Sequence, residues 1–207
     1  MAELLDRPGP TRPPAVLPQG TVTPEGTVDI PPAAFEVRVL EAVQGRLGRP
    51  PVVRVARGMS LFGEHAAGWL LFGAAGAVID RRRRRDWVTA TAAVALAHGA
   101  SVGVKRVVRR PRPQDPRVQV LVGTPSKLSF PSAHATSTTA AAVVFGALLR
   151  KPLVAALVPP MALSRMVLGV HYPTDVVAGS VLGAAVAVVT RRAASRRTAL
   201  RARKGNR

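Results

Sequence analysis

The sequence predicts an all-α fold: a polytopic transmembrane helix bundle of about five spans, preceded by an N-terminal amphipathic helix. Two observations carry this expectation. First, the 207-residue chain is 47% hydrophobic yet has a formal net charge of +19. Apolar spans alternating with basic loops reconcile those two figures, whereas a nucleic-acid binder of such charge is usually less apolar. No nucleic-acid partner is expected. Second, the apolar stretches are separated by abrupt basic or Pro-containing breaks and are rich in Ala, Gly, Ser and Thr. Small residues let helix backbones approach closely in lipid, so the bundle should be compact. The absence of cysteine excludes disulfides, thiolate catalysis and Cys-based metal sites.

The elements follow in chain order. Residues 1–32 contain Pro8, Pro10, Pro13, Pro14, Pro18, Pro24, Pro31 and Pro32 and lack the apolar core of a signal peptide. They read as a disordered tail. Residues 33–58 read as an amphipathic surface helix. Phe35, Val39, Leu40, Val43 and Leu47 recur at three- and four-residue spacing, Glu36, Arg38, Glu41 and Arg46 take the other face, and Gly48 and Pro50-Pro51 are breaks. The first span covers 60–79, about 30 Å at the helical rise. Glu64 and His65 lie near its start, and Asp80 with the Arg run 81–85 ends it. The second covers 87–104, with Trp87 as an interfacial anchor. The third covers 134–149 and is followed by Arg150 and Lys151. The fourth runs from 152 to about 170, interrupted by Pro159-Pro160, and the fifth covers 174–189. Residues 59–190 thus form one membrane-embedded unit. The segment 191–207 is a tail with eight basic residues and no acid.

In a five-span count the Arg run 81–85, Arg150-Lys151 and the C-terminal tail share one side. The positive-inside rule places that side in the cytoplasm of a plasma-membrane protein. The other, extracytoplasmic end is also basic, through Lys105, Arg106, Arg109, Arg110 and Arg112. An anionic substrate gives some of those charges a reason to be there. Arg106, Arg109 and Arg110 read as solvated or lipid-facing charge.

That second end carries three blocks: Lys105-x6-Arg112-Pro113, Pro131-Ser132-Ala133-His134, and Ser164-Arg165-x5-His171-x3-Asp175. Breaking a phosphate ester needs fixed positive charge on the non-bridging oxygens. Lys105, Arg112 and Arg165 can supply it, Arg with paired hydrogen bonds. Ser132 adds a hydroxyl, and the amides near Ala133 and His134 would point at the anion from a helix N-terminus. His171 can attack phosphorus if a carboxylate holds its other ring nitrogen, and Asp175 lies four residues on. His134 is the second imidazole, suited to protonate the leaving alkoxide and later to activate water. The His171–Asp175 pair has no third ligand at metal-binding spacing, so no metal and no cofactor is expected. His65 and His98 read by themselves as satisfied polar groups in apolar helices.

The three blocks resemble the type 2 phosphatidic acid phosphatase superfamily, the PAP2 and vanadium haloperoxidase group. Its pattern is K-x6-RP, PSGH and SR-x5-H-x3-D. Ala133 departs from it by standing where Gly is usual. The resemblance covers about 60–190 and implies His171 as nucleophile, Asp175 as its partner and His134 as the acid. Lys105, Arg112, Ser132, Ala133 and Arg165 would then hold the phosphate. A backbone amide survives at Ala133 provided that residue is not in the left-handed region. A narrower likeness lies in residues 60–69, Ser-Leu-Phe-Gly-Glu-His-Ala-Ala-Gly-Trp, and 124–130, Thr-Pro-Ser-Lys-Leu-Ser-Phe. These resemble the actinobacterial decaprenylphosphoryl-5-phosphoribose phosphatases of cell-wall arabinan synthesis, which implies Glu64 and His65 as contacts on the sugar side.

The expectation is therefore a membrane phosphatase that acts through a phosphohistidine on a lipid-linked phosphomonoester in the bilayer. That resemblance makes decaprenylphosphoryl-5-phosphoribose the leading substrate. Undecaprenyl pyrophosphate and phosphatidic or phosphatidylglycerol phosphates are alternatives. A haloperoxidase is disfavoured because those enzymes are larger and soluble. A non-catalytic basic protein that binds anionic lipid explains the charge but leaves the three blocks as coincidence. Nothing in the sequence fixes the oligomeric state.

Overall fold

The computed structural model describes residues 32–205, with side chains described over 35–196. The Pro-rich segment anticipated as disordered lies outside them, except Pro32. Seven helices follow in order: α1 (Pro32–Leu47), α2 (Pro50–Gly63), α3 (Ala67–Ile79), α4 (Arg84–Val108), α5 (Ala133–Leu149), α6 (Leu153–Val167) and α7 (Pro173–Gly205). Two 3₁₀ turns, Glu64–Ala66 and Arg81–Arg83, join α2 to α3 and α3 to α4.

By length and composition, three stretches are long and apolar enough to cross a membrane: Pro50–Ile79, Arg81–Val108 and Pro173–Arg196. The helices Ala133–Leu149 and Leu153–Val167 are apolar but shorter. The bundle has the inside-out pattern that lipid selects. Large apolar side chains face outward, among them Leu71 at 70% and Ile79 at 82% exposure. The interior is lined by Ala93, Ala97, Ala140, Ala141 and a buried run of polar groups, Thr136, Ser137, Thr138 and Thr139. With no hydrophobic drive between helices in lipid, close backbone contact and buried hydrogen bonds hold them together. The crossing of α5 and α7 shows this. Gly179 and Gly183 lie four apart on α7, and a Cβ there would sit 2.5 Å from the Ser132 carbonyl oxygen and 2.2 Å from that of Thr136. That crossing brings the start of α7 against the start of α5.

Several elements differ from the sequence expectation. Residues 33–58 are not one helix. The chain stops at Leu47 and restarts at Pro50, because proline suits the first helical turn, where no N–H is required. The first long apolar stretch therefore begins at Pro50 rather than 60, and it breaks in the middle, where His65 and Ala66 take positive φ values of 50° and 59°. Trp87 is not an interfacial anchor. It is buried, donates Nε1–H to Asp80 at 3.2 Å and packs against Phe72 and Phe145. Pro159 and Pro160 do not interrupt α6; both lie on its exposed side. The basic segment after Arg191 continues α7 as far as Gly205, in a run of Ala and Arg with no internal Gly or Pro.

Helix direction alternates through the second half of the chain. The end of α4, the start of α5, the end of α6 and the start of α7 therefore meet at one end of the bundle. The connection from residue 109 to 132 folds over this end, held by an isolated bridge between Pro111 and Leu128.

Candidate active site

Each of the three blocks sits where a helix starts or stops at that common end. Lys105 lies in the last turn of α4 and is buried. Its Nζ donates to the carbonyls of Leu128 and Ser129, both at 3.1 Å, which leaves one of its three N–H donors for a ligand. Arg112 is fixed from two sides, Nε to the Ser126 carbonyl at 2.8 Å and Nη1 to the Val170 carbonyl at 2.6 Å. Burial pushes its pKa down to about 10, with Asp175 opposing, so it stays charged at neutral pH. Arg165, in the last turn of α6, is 1% exposed, and its Nε and Nη1 have no hydrogen-bond partner among the described residues. A buried guanidinium facing no acceptor is costly unless an anion completes it.

Ser132 caps α5. Its Oγ accepts from the Ala135 amide at 3.4 Å, and its own amide donates to the Asp175 carbonyl at 2.9 Å. The first hydrogen bond of the α5 backbone runs from Thr136 to Ser132, so the amides of Ala133 and His134 precede it and remain open to an anion. Ala133 is the first residue of the helix and is absent from the positive-φ positions, so its methyl costs no backbone strain.

The two imidazoles have defined tautomers. Arg112 can only donate, so His171 Nε2, 3.2 Å from its Nη1, carries a lone pair. The proton is then on Nδ1, which faces Asp175 Oδ2 at 3.5 Å, within charge-pair reach but without hydrogen-bond geometry. Burial, followed by the charges of Arg112, Arg165 and Lys105 and the nearby His134, holds His171 well below the ordinary imidazole pKa of 6.5. It is neutral at pH 7. His134 Nε2 lies 2.8 Å from the Ser60 carbonyl, which can only accept, so Nδ1 is the nitrogen left to exchange a proton.

The segment after Ser60 seats this ring. A Cβ on Gly63 would lie 2.6 Å from His134 Cδ2 and 3.3 Å from its Nε2. Gly63→Ala is expected to push the ring off its place and lower kcat by about 10²-fold, since about 1 Å of misplacement costs that much. Phosphate affinity should hold, because Lys105, Arg112 and Arg165 are untouched. Steady-state turnover with inorganic phosphate as inhibitor checks this.

Other residues anticipated from sequence take different places. Glu64 follows α2 and lies within electrostatic reach of Arg165. His65 is exposed, its ring 6.3 Å from that of His98. His98 is more than a satisfied polar group, since its buried Nδ1 has no partner and it lies within electrostatic reach of His134. Arg110 is not a free surface charge. Its Nη1 donates to Asp175 Oδ1 at 3.0 Å and to Thr174 Oγ1 at 2.7 Å, its Nη2 donates to Glu36, and its guanidinium lies 4.1 Å over the Tyr172 ring. Burial works against its charge, yet the Glu36 hydrogen bond and Asp175 outweigh that and raise its pKa. No spacing rule distinguishes Arg110 from Arg106 or Arg109, and Glu36 stood out only as an acid on an amphipathic helix. Among the described residues no three His, Asp or Glu come together to hold a metal ion.

Residues 86–199 match the model of the PAP2 superfamily. The chain is 61% identical over 145 residues to the decaprenylphosphoryl-5-phosphoribose phosphatase of Mycolicibacterium smegmatis, covering 70% of this chain and 81% of that one. It is 55% identical over 155 residues to the protein of the same name from Mycobacterium tuberculosis, covering 74% and 88%. Among solved structures, it resembles a transmembrane PAP2-type phosphatidylglycerolphosphate phosphatase from Bacillus subtilis, with a TM-score of 0.66 at 20% identity over 79% of this chain and 86% of that one. It also resembles LpxE of Aquifex aeolicus, with a TM-score of 0.62 at 19% identity over 77% and 96%. These two likenesses concern the fold alone.

Proposed function

The chain belongs to the PAP2 superfamily, and from that premise we propose that it is a lipid-phosphate phosphatase working through a phosphohistidine. The observation that most supports this is the pairing of Arg165 with His171. A buried guanidinium with two nitrogens unpartnered among the described residues acts electrostatically on an imidazole whose Nε2 lone pair faces Arg112 Nη1 and is the ring nitrogen placed to attack.

The reaction follows from the geometry. Lys105, Arg112, Arg165, Ser132 and the Ala133 and His134 amides grip the non-bridging oxygens. His171 Nε2 forms a bond to phosphorus while the ester P–O bond breaks, and Asp175 stabilises the proton on Nδ1. The leaving oxygen takes a proton from Nδ1 of His134, which enters the step as the imidazolium and leaves it neutral with its Nε2–H still on the Ser60 carbonyl. His134 then removes a proton from water, which attacks phosphorus, breaks the N–P bond and releases inorganic phosphate with His171 restored. The residues supply their own cations, so no step calls for a metal.

The substrate we propose is decaprenylphosphoryl-5-phosphoribose, in cell-wall arabinan synthesis, by the names of the relatives at 61% and 55% identity. Its leaving group departs on the His134 side, beside Glu64, His65 and His98. Two imidazoles and a carboxylate suit the hydroxyls of a sugar better than an acyl glycerol. The five apolar helices α2–α3, α4, α5, α6 and α7 are read as five spans, with the active end extracytoplasmic, opposite the basic groups at 81–85 and 150–151. Assaying purified protein with EDTA against this lipid, undecaprenyl pyrophosphate, phosphatidic acid and phosphatidylglycerol phosphate tests the reading. The expected result is the highest kcat/KM on the phosphoribosyl lipid. Equal turnover of all four would remove the substrate assignment, and no turnover of any would remove the enzyme.

A further inference from the structure

Helix α1 lies outside the residues that match the family model, yet it reaches the catalytic loop at two points. Glu36, Val37, Leu40 and Gln44 fall within an arc of about 100° on one face. Val37 and Leu40 are buried and pack with Val118, Met166 and Tyr172. The two polar members flank this apolar seat. At the first end, buried Glu36 accepts from the Thr174 amide at 3.1 Å and from Thr174 Oγ1 at 2.5 Å, and it also takes Arg110 Nη2. Arg110 continues to Asp175 Oδ1. At the other end, Gln44 Nε2 donates to the Val167 carbonyl at 3.0 Å and to the Gln119 carbonyl at 2.7 Å, while its Oε1 accepts from the Gln119 amide at 2.9 Å.

Glu36 and Gln44 are eight residues apart, about 12 Å along the helix. Their partners Val167 and Thr174 bracket the turn from α6 into α7, and His171 lies between them. The only other side-chain hydrogen bond into this turn's backbone carbonyls from the phosphate cradle is Arg112 to Val170, on the far side among the described residues. Glu36 resists protonation. Burial would raise its pKa, but the hydrogen bonds from Thr174 and Arg110 hold it below the ordinary 4.5.

We propose that α1 is a clamp on the nucleophile loop. Glu36 and Gln44 are positioning residues that fix residues 167–174 at both ends so that His171 meets phosphorus in line. Neither touches the phosphate. The clamp rests on the phosphatase reading for its catalytic consequence but not for its physical one.

Glu36→Ala, Glu36→Gln and Gln44→Ala in the full chain, purified in detergent, test this. Three measurements are needed: kcat and KM on a lipid phosphomonoester, inhibition by inorganic phosphate, and amide hydrogen exchange. Glu36→Ala and Gln44→Ala should each lower kcat by about 10–100-fold. The phosphate inhibition constant should stay within about threefold of the parent, because Lys105, Arg112 and Arg165 are unchanged. Glu36→Gln keeps the acceptor for Thr174 but sets an amide NH2 against Arg110 Nη2, so it loses that hydrogen bond and the charge only, and its loss should be smaller than that of Glu36→Ala. Peptides covering 167–174 should exchange faster in both alanine variants, with those from the middle of α5 unchanged.

Unchanged exchange in 167–174 would overturn the clamp, as would kcat within about twofold of the parent in folded Gln44→Ala protein. Loss of kcat in step with loss of phosphate affinity would also overturn it, by showing general disruption of the site. Should Glu36→Ala fail to fold, Glu36→Gln and Gln44→Ala decide the matter by the same criteria. Faster loop exchange in the alanine variants of a parent protein that hydrolyses no lipid phosphate would leave the clamp standing and remove the phosphatase reading alone.

Discussion

His171→Ala is expected to reduce turnover by about 10⁴-fold or more, the scale seen when a covalent nucleophile is removed. The imidazole is unique in this site. Its Nε2 lone pair faces the cation Arg112, and a carboxylate stands at the other nitrogen, an arrangement that His134, seated on the Ser60 carbonyl, does not have. Brief reaction with a lipid carrying ³²P-phosphate should leave label on the parent protein and none on the variant. His134→Ala gives the contrasting pattern, in which label on His171 persists because the water-activating base is gone. Equal labelling of parent and His171→Ala would remove His171 as nucleophile. The same residue sets the acid side of the pH profile. Its folded pKa is depressed below 6.5, so protonation occurs only at lower pH. kcat/KM should be insensitive to His171 through neutrality and fall as the solution is acidified well below pH 6.5. The sign for stability agrees. A group held neutral by the fold contributes stability in full above the unfolded pKa, and that contribution is lost as pH falls toward the folded value.

Arg165→Met is expected to have opposite effects on function and stability. Removing a donor aimed at transition-state charge should lower kcat/KM by about 10²–10³-fold. The unliganded variant should nevertheless melt at a higher temperature than the parent. Arg165 is buried, and two of its nitrogens have no hydrogen-bond partner among the described residues. A residue of similar length without charge fills the volume and removes the desolvation cost. Inorganic phosphate should raise the melting temperature of the parent by mass action and leave the variant unmoved. A variant that melts lower and still responds to phosphate would show that Arg165 is structural rather than an anion ligand.

Much of the site was legible because its chemistry is written locally. The helix ends that carry Ser132 and Asp175 follow from proline and capping residues a few positions away, so the structure places these residues at helix starts. What was not legible depended on elements far apart in sequence. Arg110 and Arg109 are neighbours of the same type. Arg109 terminates α4 with a positive φ and is exposed, whereas Arg110 turns inward to Asp175 and Glu36. Trp87 reads as an anchor by its place at the start of an apolar run, but the helix starts three residues earlier, at Arg84, and Asp80 offers its indole a partner. The break at residues 64–66 has no proline or central glycine to announce it. The chain bends there, next to Gly63, where Ser60 and Gly63 must both meet His134.

By itself the sequence determined that the chain is an all-α membrane-embedded protein, and it offered a set of side chains suited to handling phosphate. Residue identity and short spacing suffice for those, since both the periodicity of burial and the pairing of His171 with Asp175 act within two helical turns. Only the tertiary structure decided that Arg110 ties to Glu36 and Asp175, that His98 lies within electrostatic reach of His134, and that α1 reaches the turn that carries His171. Those assignments turn on which atoms from distant segments come within about 3 Å, the range at which a hydrogen bond forms. Helix packing sets that distance, and no local pattern encodes it.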